Sequence, residues 1–206
     1  MTSTRWNHNI HYHRLILDAV PAAARTALDV GTGNGLLAAE LHQNIPVVTA
    51  IDADAEVLDS ARQEDSGVEW VLGDVLTYPF EPESFDAVVS VATLHHFPNL
   101  AQALSRLANL TAPGGVLAAV GLARSTRPTD FIRDVVGVVE HRRHKRRFGE
   151  WVHTAPVVWP PPHSYTEVRR AASAVLPGVI WTRLAMWRYA LVWNKPTAKS
   201  LTEDFR

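Results

Sequence analysis

The amino-acid sequence predicts an α/β fold: a mainly parallel, seven-stranded sheet with helices on both faces, in a single domain over residues 1–206. Three observations carry that expectation. Short runs rich in Val, Ala and Ile recur along the chain and alternate with segments of helical periodicity. Those runs lack the polar alternation of a half-exposed strand, so both of their faces are to be covered. A glycine-rich stretch follows the first run and leads directly into a helical pattern.

The elements follow in order. TALDV (26–30) reads as a buried strand, and NGLLAAELHQ (34–43) as a helix with Leu36, Leu37 and Leu41 on one face. PVVTAID (46–52) is the next strand, and DADAEVLDSARQE (52–64) a helix whose acidic first turn suits its dipole. VEWVLGD (68–74) and SFDAVVSVA (84–92) are strands; the helix over 99–115 is stopped by Pro113, Gly114 and Gly115, and VLAAVGL (116–122) is the fifth strand. A helix entered after Pro128 grades into a basic end by residue 150, and residues 151–164 form a proline-rich, aromatic loop. Ser164, with Glu167 three positions on, marks a capping box for a further helix. Residues 179–196 read as two strands around a tight connection at Leu184 to Met186, before a frayed tail.

Composition bounds the function. An apolar fraction of 47% and a charged fraction of 20% describe an ordinary globular protein, and 20 Lys plus Arg against 21 Asp plus Glu give no global pull toward nucleic acid or anionic lipid. The absence of cysteine excludes disulfides, thiolate metal sites and cysteine nucleophiles. The polar N-terminus lacks the apolar core of a signal peptide and no apolar run reaches roughly 18 residues, so a cytoplasmic protein is expected.

The glycine loop DVGTGNG carries Gly31, Gly33 and Gly35 between a strand end and a helix start, where free backbone N–H groups face a ligand. Its G-x-G-x-G spacing differs from the G-x-G-x-x-G of dinucleotide folds, and alone it is a weak signal, since glycine loops at strand ends also serve simply as turns. Asp52 lies 21 residues beyond Gly31 at the end of the second strand, placed to accept both hydroxyls of a ribose. Asp74 ends the third strand, so the three sites converge on one crevice.

The ordered set LDVGTGNG, AIDAD, VLGDVLTYPF, SFDAVVSVATLHHF and LTAPGGVLAAV, over residues 26–122, resembles the class I S-adenosylmethionine-dependent methyltransferases. The resemblance implies a Rossmann-like sheet with an antiparallel C-terminal strand and S-adenosylmethionine as cofactor. It implies that Asp29, Gly31, Thr32, Gly33 and Asn34 lie beside the methionine part, and that Asp52 with Ala53 binds the ribose. Asp74 with Val75 would reach the adenine, while Val91 and the residues to His95 line the opposite side. Thr32 and Asn34 stand at variable loop positions and keep polar groups there.

Transfer from a sulfonium needs an in-line approach and, for a protonated acceptor, a proton sink. His96, after the fourth strand, is the candidate base, with a purely structural role as its alternative, and His11 is the second catalytic candidate. Trp6, His8, His11, Tyr12 and His13 crowd the N-terminus, where residues 1–20 are expected as a lid with Trp6, Asn7 and Tyr12 near the cofactor and His8 near the acceptor. His153, Trp159 and His163 occupy the loop of the 124–165 insertion expected to shape the acceptor pocket. No metal site is expected, since His8, His11 and His13 lack a clear carboxylate partner nearby in the sequence.

The basic run EHRRHKRR (140–147) reads either as a solvated helix end, its charges spread over several faces, or as a polyanion contact. The expected activity is methyl transfer to an O, N or C atom of a small molecule by a monomer or homodimer. An RNA or protein methyltransferase and a noncatalytic binding protein are the alternatives.

Overall fold

The protein is described here from a computed structural model, which covers residues 5–149, 151 and 158–197. Seven strands form one sheet: Thr26–Val30 (β1), Val47–Asp52 (β2), Glu69–Leu72 (β3), Phe85–Val91 (β4), Thr111–Leu122 (β5), Ile180–Arg183 (β6) and Arg188–Asn194 (β7). Their order is β3-β2-β1-β4-β5-β7-β6, with β1 to β5 parallel and β7 antiparallel to both β5 and β6. The chain leaves β1 toward β2 on one side and returns to β4 on the other, so a crevice opens above the carboxyl ends of β1 and β4.

Strand alternation divides the core into two layers. Leu28, Val30, Val88, Leu117 and Leu191 pack on one face with Leu104 and Leu107 of α4 (Leu100–Leu110) and Val168 and Ala172 of α6 (Tyr165–Val175). Ala27, Val48, Val89 and Ala118 pack on the other with Ile16 of α1 (His13–Ala19) and Leu37 and Leu41 of α2 (Leu36–His42). The remaining helices are α3 (Ala55–Ala61), capped by the Asp54 carboxylate, and α5 (Pro128–Phe148), whose entry is held by Asp130 accepting from the N–H groups of Thr126 and Arg127.

Three local expectations change. The helix expected to run through residue 115 ends at Leu110, where the buried Thr111 hydroxyl donates to the Leu107 carbonyl at 2.9 Å and the chain becomes β5. Pro113, Gly114 and Gly115 lie inside an irregular stretch of that strand, and a side chain on Gly115 would meet the Asp86 carbonyl at 2.6 Å. At the N-terminus, a 3-10 turn over Ile10–Tyr12 replaces the helix start expected near Asn7, because the Asn7 amide oxygen accepts from the N–H groups of Asn9 and Ile10, both at 2.9 Å.

The basic run is also sorted rather than scattered. Arg142, Arg143, Arg146 and Arg147 share one outer groove of α5 with Val139. His141 and His144 turn the other way: His141 lies 2.6 Å from His8, and His144 stacks on Trp6 with ring centroids 5.4 Å apart. Among the described residues, no helix is long and apolar enough to cross a membrane.

Candidate active site

A cavity of about 790 Å³ occupies the crevice above the carboxyl ends of the parallel strands. Its floor is the β1 loop. Gly31 and Gly33 adopt positive φ angles of 66° and 56°, which glycine reaches without strain. Gly31 and Thr32 both donate to the Ile51 carbonyl, at 2.8 and 3.2 Å, so the loop folds over the end of β2. A Cβ on Gly31 would collide with the Thr93 side chain, whose hydroxyl donates to the Gly31 carbonyl at 3.1 Å. That contact ties β1 to the segment after β4.

Acids line this half. The Asp52 carboxylate accepts from Gly33 N–H at 2.9 Å through one oxygen and from Asp54 N–H at 3.0 Å through the other, leaving lone pairs on both for a ligand. Asp74 stands exposed at the rim, one oxygen taking the Leu76 N–H at 2.9 Å. Asp29 is 1% exposed. Burial pushes its carboxyl up to about 6, against the opposing hydrogen bond from the Thr32 hydroxyl at 2.7 Å.

The far half is built after β4 and on β7. Ala92 has a φ of 56°, a left-handed conformation unusual for a residue with a Cβ, and it turns the chain sharply into the 3-10 turn over Leu94–His96. His95 is buried, and that burial, reinforced by His96 and Arg188, drives its imidazole down to about 3, so it is neutral at physiological pH. His96 packs against it at 4.2 Å between centroids and is exposed to the cavity. Burial lowers its pKa, and Asp52 opposes the shift. Leu122, Phe97, Ile10 and Val158 add apolar wall, and Arg188 contributes a buried guanidinium.

The cavity gathers twelve of the residues expected at the site: Asp29, Gly31, Thr32, Gly33, Asn34, Asp52, Ala53, Asp74, Val75, Val91, His95 and His96. Six others stand away from its lining. Trp6 is buried under α5 by its stack on His144, and His8 and His11 also face that helix, with His11 and His144 centroids 4.9 Å apart. The Tyr12 hydroxyl donates to the Ala185 carbonyl, at 3.0 Å, and the ring is core. His163 lies 3.1 Å from the Phe97 carbonyl, and Trp159 is an exposed ring set edge-on to Trp187. His153 lies outside the described residues. The N-terminal segment does wall the cavity, but through Asn7, Asn9, Ile10 and His13. Arg188 was unforeseen; its signal is a charged residue within the otherwise apolar run MWRYALVW.

With this geometry in place, likeness to known proteins becomes informative. Residues 28–119 match the family described as Methyltransferase domain. An uncharacterized methyltransferase of Mycobacterium tuberculosis is 42% identical over 197 residues, spanning 93% of this chain and 98% of the relative. A demethylmenaquinone methyltransferase of Roseiflexus castenholzii is 29% identical over 144 residues, or 68% of this chain and 54% of that protein. The fold is shared with N-methyltransferase NodS of Bradyrhizobium japonicum, solved with S-adenosylhomocysteine, at a TM-score of 0.60 and 17% identity, over 91% of this chain and 87% of that one. The chain belongs to the class I S-adenosylmethionine-dependent methyltransferases.

Proposed function

We propose that this methyltransferase acts on a small molecule, carrying the methyl group of S-adenosylmethionine to an oxygen, nitrogen or carbon atom. The observation that carries the proposal is the division of one cavity into an acid-lined half over β1 to β3 and a half of histidine, arginine and apolar side chains over β4, β5 and β7. Its volume, about 790 Å³, falls within the size range of small-molecule sites.

When bound, the cofactor supplies an activated methyl group on a positively charged sulfur. The chain's own residues hold and align it. Asp52 accepts the ribose hydroxyls with the lone pairs left free by Gly33 and Asp54, and Asp74 with Val75 meets the adenine. The loop from Asp29 to Asn34 receives the methionine part, where an ammonium favours the ionised form of Asp29. Val91, Ala92 and Thr93 form the partition between the two halves. His96 takes the acceptor's proton where there is one to lose, through a ring nitrogen for which the described structure records no hydrogen bond. Residues 1–20 serve as a lid, with Asn7, Asn9 and Ile10 in its wall, and the 124–165 insertion shapes the acceptor side of the same domain.

The test is transfer of a labelled methyl group from S-adenosylmethionine into a cell extract separated into small molecules, RNA and protein, with Asp52→Asn as control. Label is expected in the small-molecule fraction, reduced about 100-fold in the control, the effect of losing charged hydrogen bonds to two hydroxyls. A second reading rests on the groove of four arginines on α5. Label in RNA or protein, with transfer falling steeply as salt rises, would favour that reading.

A further inference from the structure

Two arginines are buried at the β6–β7 hairpin, and they are treated differently. Arg183 donates to Asp134 at 3.0 Å and lies over the Tyr165 ring, so its charge is matched. Arg188 is 6% exposed, yet among the described residues it has no carboxylate partner. Its Nη1 donates to the Met186 carbonyl at 3.2 Å and its Nη2 to the Asn9 amide oxygen at 2.9 Å, while Nε is buried without an acceptor. A guanidinium has five N–H donors, so three remain here. Burial lowers its pKa to about 10, which leaves it charged at neutral pH. An uncompensated buried cation is costly unless an anion arrives to meet it.

Position shows which anion. Arg188 pairs with Leu122 at the end of β5, and both line the cavity. It lies three steps across the sheet from β1, roughly 14 Å at about 4.8 Å per step, on the opposite side of β4 from the glycine loop. The lining carboxylates Asp29, Asp52, Asp54, Glu56 and Asp74 all belong to the other half, and Arg188 is the only Arg or Lys among the described lining residues. A single fork of donors matches a monoanionic carboxylate in two-point contact, whereas a phosphate dianion would lack a second cation.

We propose that Arg188 is the anchor for a carboxylate of the acceptor, so the enzyme takes small carboxylic acids with an apolar body packed on Ile10, Phe97, Leu122 and Val158. This rests on the small-molecule reading above and assigns the substrate class within it. Asn9 holds the fork in place, and His95, neutral at physiological pH, adds no competing charge.

The test is calorimetric titration of the full chain loaded with S-adenosylhomocysteine, using acid and amide pairs from acetate and acetamide to 3-phenylpropionate and 3-phenylpropanamide. At least one acid is expected to bind about 30-fold tighter than its amide, about 2 kcal/mol. Arg188→Gln should bring that preference within about threefold while leaving S-adenosylhomocysteine affinity within about threefold. If that variant does not fold, Arg188→Lys carries the comparison, since an ammonium keeps the charge but loses the fork, and a preference reduced about fivefold or more is expected. Three outcomes overturn the proposal: no acid outbinds its amide, a folded variant keeps the full preference, or the Gln variant loses S-adenosylhomocysteine while acid binding persists. Failure of wild-type protein to bind S-adenosylhomocysteine would instead strike the methyl-transfer reading, and the pairs are then titrated on unloaded protein, where the Arg188 preference still stands or falls.

Discussion

At the scale of single residues, Asp29 shows how a site charge is set by its surroundings. In the unfolded chain its carboxyl titrates near 3.8, and in the fold near 6. Between those values the native state holds a proton that the unfolded state has lost, so stability falls as pH rises through that window. The loss is on the order of 3 kcal/mol for a shift of about two units. Asp29→Asn should remove this dependence, and urea midpoints measured from pH 4 to pH 7 should be flatter than those of the wild type by about that amount. Equal slopes in the two proteins would show that the carboxyl is not desolvated as described. The glycines stood out in the sequence because a strand end, a loop and a helix start are neighbours along the chain, Asp52 because it ends the next strand, and Asp29 only through the family resemblance. Arg188 was not, since its partner Asn9 is 179 positions away and only the closed fold brings them together.

At the scale of elements, legibility followed the same line. The capping box at Ser164 is local chemistry, and it forms as expected: the Ser164 hydroxyl donates to the Glu167 carboxylate at 2.7 Å, and that carboxylate also takes the Ser164 N–H at 2.7 Å. Ser164→Ala should lower stability by about 1 kcal/mol, read from the denaturation midpoint at an unchanged slope. A change below about 0.3 kcal/mol would mean that packing of Tyr165 and Val168 alone starts α6. The end of α4 was misjudged because Pro113, Gly114 and Gly115 signal a break without saying what it breaks. Here they kink a strand, a pairing fixed by Asp86 and Lys195 from distant segments, with Gly114 N–H donating to the Lys195 carbonyl at 2.9 Å. Trp6, His8 and His11 were likewise expected at the ligand from their crowding alone. Their actual partners, His141 and His144, lie more than a hundred residues on.

For the whole molecule, the N-terminal segment walls the cavity while leaning on α5 and β7 together, and its contacts with α5 are made through histidines. Burial and the neighbouring His144 hold His11 below the usual imidazole value, with Glu140 opposing. A depressed imidazole contributes stability above its unfolded value of 6.5, which is lost as pH falls. Once charged, His11 faces His144 across a centroid distance of 4.9 Å, with Glu140 as the one opposing acid among its described charged neighbours. Hydrogen-exchange protection of residues 10–12, corrected for intrinsic rates, should therefore drop between pH 7 and pH 5 while that of β4 holds. Parallel behaviour of the two would assign the segment to the global core. A different consequence follows from the Thr93 hydroxyl braced on Gly31. That tie runs from a side chain after β4 to the β1 loop and makes no use of the N-terminal segment, so on the proposed division the spacing between donor and recipient is expected to survive when the rim is rewritten. On that proposal, exchanging residues 7–10 and the start of β7 is the economical route to retargeting this scaffold, because it leaves the half assigned to the donor untouched.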